Sequence, residues 1–492
     1  MDVMEKNQII IDTVADIISR TEEHNSLENQ CLARGFRKII LYGYGVLGAT
    51  IFRELRDSRD VNIVAIMDSF PNLVKGVPAG VPILGKEDKA PEYDAIIVTA
   101  VAAFDKIKED LGKRGYENIV NPENFEIFKK KTVDVNNLIE KYIGKTRNQF
   151  VEELIQSKNQ KIINIANENV IDGIEVDRTA LYVVTANNGY YEIGAKLYDK
   201  GVALENIFLK NSPRYTYQYR ALLPESNRAE VVAAMHNQWC GVYPNIKRPK
   251  TYNEIIMHDV LIPDPMRSRL ADKYEVREWI KQEIGEEYLV PLIGVWDNVE
   301  DIPFDKLPKK YALKANHGCG WNIINHGNGI DIELTKVKLY DWLHSNFACA
   351  CYEMHYGDIN PQIICEEYIQ NVDDLYDYKV FSFDGKPEYI MFLSDRKNKL
   401  KMSFYDLEWN KLDFVYSFQK NLNKIEKPKY LDKIIKMSKK MSKIFNQVRI
   451  DWYVLNNGDI KFGEMTFSSC AGHAKWTPIE YDAVLGKKIN KH

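Results

Sequence analysis

Asp451 and Glu464 stand thirteen residues apart in RIDWYVLNNGDIKFGEMTF, residues 449–467, on either side of Asn457-Gly458. Two apolar-rich runs joined by Asn-Gly read as a β-hairpin, because that pair accepts the positive φ angles of a type I′ turn. A tight turn places Asp451 directly across from Glu464. Alternation of side chains then gathers Arg449, Asp451, Tyr453, Leu455, Ile460, Phe462, Glu464 and Thr466 on one face. Cross-strand β-carbons lie about 5 Å apart. Carboxylates that close repel unless a proton or cation sits between them, and hard oxygen donors with open positions suit Mg²⁺ bound to a phosphate chain. The alternative is a solvated pair of acids at a sheet edge.

Further phosphate-binding parts precede this hairpin. YALKANHGCGWNII, residues 311–324, runs from strand into a loop with Gly318 and Gly320 and back into strand. Such a loop, flanked by Lys314, can close over a triphosphate with its amides and one ammonium group. In PQIICEEYIQNVDDLYDYKVFSFDGKPEYI, residues 361–390, an apolar strand ends in Glu366 and Glu367, and a second begins near Asp377 and Lys379. Acids at such a strand end can accept hydrogen bonds from an adenine amine or ribose hydroxyls, with Tyr368 and Ile369 as an apolar wall.

The elements that must position these residues fall into two kinds. RKIILYGYGVLGATIFRELRDSRDVNIVAIMDS, residues 37–69, reads strand, glycine turn, helix, strand. Gly43, Gly45 and Gly48 form GxGxxG directly after the first strand, and Asp68 ends the next, twenty residues past the last glycine. That context is the dinucleotide or nucleotide-sugar fingerprint, with helix amides toward a pyrophosphate and the acid toward a ribose. A Rossmann-like fold without a redox cofactor reads equally well. Residues 180–209 echo residues 94–119, each an apolar strand, Val-Thr-Ala, an amphipathic helix, then Gly before Glu-Asn-Ile. The expected divisions are an N-terminal helix (1–35), a Rossmann-like α/β domain with a helical connection (36–215), a linker (216–265) and a last domain (266–492). The fold class is thus α/β and α+β multidomain.

At 492 residues the chain is too long for one ordinary domain. A net charge of -4, from 66 basic and 70 acidic side chains, excludes the global field of a nucleic-acid binder. Seven cysteines without a CxxC pair fit reduced thiols better than a disulfide framework. No apolar run reaches membrane-span length, and the acidic amphipathic start is unlike a signal peptide, so a cytoplasmic protein is expected. Residues 420–443 hold nine lysines against two acids. They read as a solvated helix face, or, more sharply, as a surface for an anionic glycan or a membrane.

The succession of Lys273, Lys314 with its glycine loop, the Glu-Glu-Tyr-Ile strand and the carboxylate hairpin resembles the ATP-grasp superfamily, whose D-alanine-D-alanine ligase members carry a similar Arg-x-Asp, turn, Glu-x-Asn hairpin. Residues from about 245 to 487 more closely resemble the TupA-like ATP-grasp family of bacterial surface-polysaccharide biosynthesis. ADKYEVREWI, PLIGVWDNVEDIPFDKLPKKYALKANHGCGWN, DYKVFSFDGKP, FYDLEWNKLDF and VRIDWYVLNNGDIKFGEMTF carry the likeness.

The resemblance implies a C-terminal ATP-grasp domain and ATP and Mg²⁺ as cofactors. Lys273 and Lys314 would meet ATP phosphates beneath Gly318 and Gly320. Glu366, Glu367, Tyr368, Ile369 and Asp377 would line the adenosine site. Asp451, Glu464 and Thr466 would hold Mg²⁺, and Arg449, Lys314 and Lys379 would be the catalytic cations. Thr466 departs from the usual asparagine, which puts the second metal position in question. In SSCAGHAKW, residues 468–476, His473 would take an amine proton or be a bystander, and Cys470 has no paired base.

The implied reaction is amide formation through an acyl phosphate, joining a uronic acid of a capsular or other surface polysaccharide, or its precursor, to a small amine or amino acid. The GxGxxG domain resembles nucleotide-sugar-binding domains; it would hold a nucleotide sugar or organise a homodimer. A glycosyltransferase is the competing expectation. Peripheral membrane association stays open, and no nucleic-acid partner is expected.

Overall fold

Four apolar side chains in succession, Ile39 to Tyr42, leave strand β1 (Lys38–Tyr42) without a polar face, the pattern of a strand covered on both sides. A computed structural model describes residues 27–489 except 56–57, 59, 75–76, 78–79, 86, 101–102, 123–133, 370–375, 395–399, 417–418, 421–424 and 456. In it β1 is the middle strand of a parallel sheet with β2 (Asn62–Met67), β3 (Ile83–Leu84), β4 (Ala95–Val98) and β5 (Ile119–Val120). The order β3-β2-β1-β4-β5 is that of a doubly wound fold. Of the expected N-terminal helix, residues 1–26 lie outside the described residues, and Leu27–Leu32 is helical.

The described residues divide into two units, one of residues up to 132 with 236–254 and 479–487, the other of 133–235, 255–478 and from 488 onward. The second unit begins with a three-stranded parallel sheet of β6 (Ile162–Ile165), β7 (Leu181–Val184) and β8 (Ile207–Leu209). The echoed sequences are indeed two βαβ units: β4, helix Phe104–Lys113 and β5, then β7, helix Tyr190–Asp199 and β8. They lie in different sheets and in different units. Tyr182, Val184 and Leu209 share one apolar core with Leu313, Val337 and Cys365. Gly194 permits this packing, since a β-carbon there would lie 3.1 Å from both Leu209 and Val337.

The remaining strands are mainly antiparallel. Strands β9 (Leu292–Trp296), β10 (Tyr311–Ala315), β11 (Asn322–Asn325) and β12 (Ile363–Glu367) form a sheet in the order β11-β10-β12-β9. Strands β13 (Tyr376–Phe383), β14 (Lys386–Ser394) and β15 (Lys401–Tyr405) are followed by the short β16 (Val415–Tyr416) and β17 (Gln419–Lys420). With β18 (Gln447–Val454) and β19 (Ile460–Thr466) they give a six-stranded sheet ordered β17-β15-β14-β13-β18-β19, while β16 pairs with β20 (Trp476–Thr477). Helix Leu431–Ser442 covers one face of this sheet, where Trp452 Nε1 donates to Ser438 Oγ at 2.9 Å. Neighbouring residues alternate faces, so Arg449 and Asp451 point to the other side. An N-terminal parallel sheet followed by antiparallel sheets is the architecture the sequence predicts. Among the described residues no helix is long and apolar enough to cross a membrane.

Candidate active site

Asp451 does pair with Glu464 across β18 and β19, and Arg449 with Thr466. The turn differs from the expected one. Leu455 N–H donates to Asp459 O and Gly458 N–H to Leu455 O, each at 2.8 Å, and Gly458 alone of the Asn-Gly pair has a positive φ, +89°. The loop is therefore one residue longer than a two-residue type I′ turn, and Val454 pairs with Ile460. A second irregularity, between Asp451 and Trp452, restores the register beyond it. The expected face is corrected in consequence. Phe462 pairs with Trp452 and both belong to the apolar core, so Ile460 and Phe462 leave the side that holds Asp451.

The hairpin is at a sheet edge, yet Asp451 is 1% exposed. Its Oδ1 accepts from Arg449 Nε at 2.7 Å and its Oδ2 from Arg449 Nη2 at 2.9 Å and from Lys379 Nζ. Arg449 Nη2 also meets Glu464 Oε1 at 3.1 Å, which accepts from Thr466 Oγ1 at 3.1 Å as well. Lys379 Nζ lies 2.9 Å from Asp377 Oδ2. Burial opposes each of these charges, but the two cations outweigh it and hold the Asp451 carboxyl below its usual range, while Asp451 holds Lys379 and Arg449 above theirs. The acids are thus an ion-paired network rather than a solvated pair. Glu464, with 36% of its side chain exposed, is its open end.

Strand β10 carries Lys314 and is the centre of a second ion-pair group. Lys314 Nζ donates to Glu366 Oε2 at 2.6 Å, and Arg277 Nη1 to Glu366 Oε1 at 2.8 Å. Arg277 Nη2 is itself fixed by Val290 O at 2.7 Å. The register dictates this: β10 and β12 pair, and Glu366 stands across from Ala312, two residues before Lys314 on the same face.

The glycine loop between β10 and β11 is anchored at its base. Asn316 donates to Asp272 Oδ2 at 3.0 Å and to Asn360 O at 2.9 Å, and His317 Nε2 lies 3.0 Å from Trp342 O. Burial lowers the His317 ring to about 4. Further along, Lys273 Nζ donates to Gly318 O, and burial holds that ammonium below its usual range against the pull of Glu464. A β-carbon on Gly318 would come within 2.7 Å of the Trp321 ring, whereas Gly320, at φ +75°, has open space around it.

A cavity of about 110 Å³ joins these parts, with Lys273, Arg277, Lys314, Gly320 and Glu366 lining it alongside Tyr453, Phe462 and Glu464. Glu464 belongs both to the cavity and to the Arg449 network. Of the other expected residues, Gly318 contacts Lys273, and Asp377, Lys379, Asp451 and Thr466 belong to the network. Glu367 is exposed at the end of β12, and Tyr368 Oη lies 3.2 Å from His326 Nδ1. Ile369 is half-buried, and neither it, Glu367 nor Tyr368 lines the cavity. Sequence reasoning missed Arg277 and Trp321; the signal for Arg277 was its place four residues after Lys273 in ADKYEVREWI.

In the first unit, Gly43 has φ +92° and its N–H donates to Met67 O at 2.8 Å. A β-carbon on Gly48 would lie 2.4 Å from Gly43 O. These two glycines are needed by the fold itself. Gly45 has neither constraint, with nothing within 4 Å of a β-carbon. Asp68 follows β2, and its Oδ1 accepts from Phe70 N–H at 2.9 Å.

Residues 255–490 match an ATP-grasp family model, so the C-terminal half of the chain is an ATP-grasp domain. It is of the family described as TupA-like ATPgrasp. Similar solved structures include the ATP-grasp ligase PsnB complexed with a phosphomimetic variant of minimal precursor, Mg and ADP, with 12% identity over 64% of this chain and 81% of that one and a TM-score of 0.29. N5-carboxyaminoimidazole synthase from Aspergillus clavatus, with ADP and an aminoimidazole ribonucleotide, has 9% identity over 63% and 70%, TM-score 0.25. An L-amino acid ligase from Bacillus licheniformis has 12% identity over 43% and 47%, TM-score 0.27. At such TM-scores these likenesses are weak. No curated protein matches the sequence.

Proposed function

We propose that the protein is an ATP-dependent carboxylate–amine ligase. The observation that carries this reading is the double membership of Glu464, which joins the cavity of Lys273 and Lys314 to the buried Arg449–Asp451 pair. A carboxylate oxygen attacks the γ-phosphorus of ATP, giving an acyl phosphate and ADP, and an amine then displaces phosphate to form the amide. Charge on the transferred group is the main obstacle, and oriented cations remove it.

Lys273 and Lys314 bind the phosphates, with Gly318 and Gly320 covering them. Lys314, which donates to Glu366 at 2.6 Å, exchanges that carboxylate for phosphate, and the cavity, at about 110 Å³ against the roughly 300–1,000 Å³ of ligand pockets, widens to admit the nucleotide. Glu366, then held by Arg277 alone, faces the adenosine with Glu367, Tyr368 and Ile369, and Asp377 meets the ribose. Arg449 and Lys379 balance charge beside the acid pair.

Two carboxylates that already converge on one cationic nitrogen, with a hydroxyl beside them, are a donor set that fits a hard dication. Asp451, Glu464 and Thr466 would hold Mg²⁺, which supplies positive charge to the triphosphate when bound.

The carboxylate substrate is a uronic acid of a surface glycan or its precursor, and the amine a small amine or amino acid. Gly43, Gly45, Gly48 and Asp68 bind a nucleotide sugar; the open surroundings of Gly45 support this. The reading places the protein in the cytoplasm. The test is ADP release with Mg²⁺ and ATP over uronic acids crossed with amines, with products weighed by mass spectrometry. Amide and ADP in equal amounts are expected. No ADP with any pair, together with turnover of a nucleotide sugar, would instead establish the glycosyltransferase that the parallel N-terminal sheet favours.

A further inference from the structure

Helix Leu431–Ser442 has two unlike faces. Leu431, Ile434, Met437 and Met441 are buried in the core behind β13, β14 and β18. Lys433, Lys436, Lys439, Lys440 and Lys443 point away from it and line a groove of about 640 Å³, a volume typical of ligand sites. The groove floor is apolar, made by Ile284, Tyr288 and Met437, and among the described residues Glu283 is its single acid. Lys440 is engaged by Glu283, 3.4 Å from its Oε2, and Lys433 lies 5.0 Å from the centre of the Tyr288 ring. Lys436, Lys439 and Lys443 have no ion pair among the described residues.

Five cations around one acid define the charge of the occupant, and their spacing narrows its kind. Lys433, Lys436, Lys440 and Lys443 recur every three or four residues. At 1.5 Å rise per residue that is about 5 Å between charges, close to the length of one sugar ring. An acidic oligosaccharide lying along the helix would present one carboxylate to each. The Tyr288 ring gives such a sugar an apolar face to rest on. An anionic bilayer would also attract these lysines, but its flat surface would not fill a groove floored by Ile284, Tyr288 and Met437.

We propose that this groove is a docking site for a carboxylate-bearing glycan chain, on the face of the sheet opposite Asp451. It binds the polymer by charge and ring contact without taking part in chemistry, and the assignment does not depend on the ligase reading. A chain held there raises the local concentration of its own further residues.

The test is direct binding of a fluorescent oligogalacturonate to the full-length protein, beside polyglutamate of equal charge, neutral dextran and phosphatidylglycerol vesicles. Oligogalacturonate is expected to bind at least about tenfold more tightly than polyglutamate, to weaken with salt, and to lose at least about tenfold in K436E/K439E/K443E. K436R/K439R/K443R should keep the affinity. Should the glutamate variant fail to fold, K436Q/K439Q/K443Q reads the same loss. Unchanged binding in the neutralised variant, equal binding of polyglutamate, or vesicle binding through these lysines without oligogalacturonate binding would each overturn the proposal.

Discussion

The carboxylates of Asp451 and Glu464 accept from one and the same nitrogen, Arg449 Nη2, at 2.9 and 3.1 Å. The two acids differ in burial, however, and this separates what each contributes to folding from what it contributes to chemistry.

Asp451→Asn removes the buried carboxylate that Arg449 and Lys379 share, leaving Arg449 with Glu464 and Lys379 with Asp377. Breaking a buried pair from one side costs about 3–5 kcal/mol, which urea denaturation would register. Glu464→Gln, at a half-exposed position where Arg449 keeps Asp451, is expected to cost less than about 1 kcal/mol. Both variants should lose ADP release. A fully active Glu464→Gln enzyme would remove Glu464 from the site.

Lys314→Met is expected to lower ADP release by about 10²–10³-fold, the scale of removing one donor aimed at developing charge. Its thermal midpoint should stay near that of the wild type, because Arg277 still pairs with Glu366. Arg277→Met leaves Glu366 only Lys314 as partner, so its KM for ATP is expected to rise once Lys314 is needed by phosphate.

Gly320→Ala places a β-carbon in open space but at φ +75°, where non-glycine residues cost about 1 kcal/mol. The substitution should raise KM for ATP and lower the free energy of unfolding by about 1 kcal/mol. Gly318→Ala, which would push on the Trp321 ring, is expected to raise KM for ATP and to lower stability as well.

Glu353 accepts from Ser468 Oγ, and burial raises its carboxyl from 4.5 to about 7. The folded chain keeps a proton there that the unfolded chain gives up, so this contribution is present below pH 4.5 and is lost as pH rises through about 7. Glu353→Gln still accepts from Ser468 and should gain up to about 3 kcal/mol over the wild type across that range. Taking the difference cancels Asp482, which burial also raises to about 7. Chemical denaturation of both proteins at several pH values measures it.

Much of this site was legible because its residues lie in strands whose alternation fixes their neighbours. Asp451 and Glu464 face each other as expected, though by two compensating shifts, one in the turn and one beside Trp452, where Gly463 is the extra residue. The shifts matter for Phe462, which lies in the core rather than beside Asp451. Arg277 was hidden because its partner, Glu366, is 89 residues away. The echo of residues 94–119 in 180–209 was real as local structure, yet local pattern does not say which sheet a strand joins, and apolar contact with Leu313 and Val337 decided that.

The most direct measurement is the ADP formed per amide when the purified protein receives ATP, Mg²⁺, a uronic acid and an amine. One ADP per amide, absent when either substrate is omitted and lost in Lys314→Met, is the predicted result. Product formation without ADP, or ADP release that ignores the carboxylate, would contradict the account.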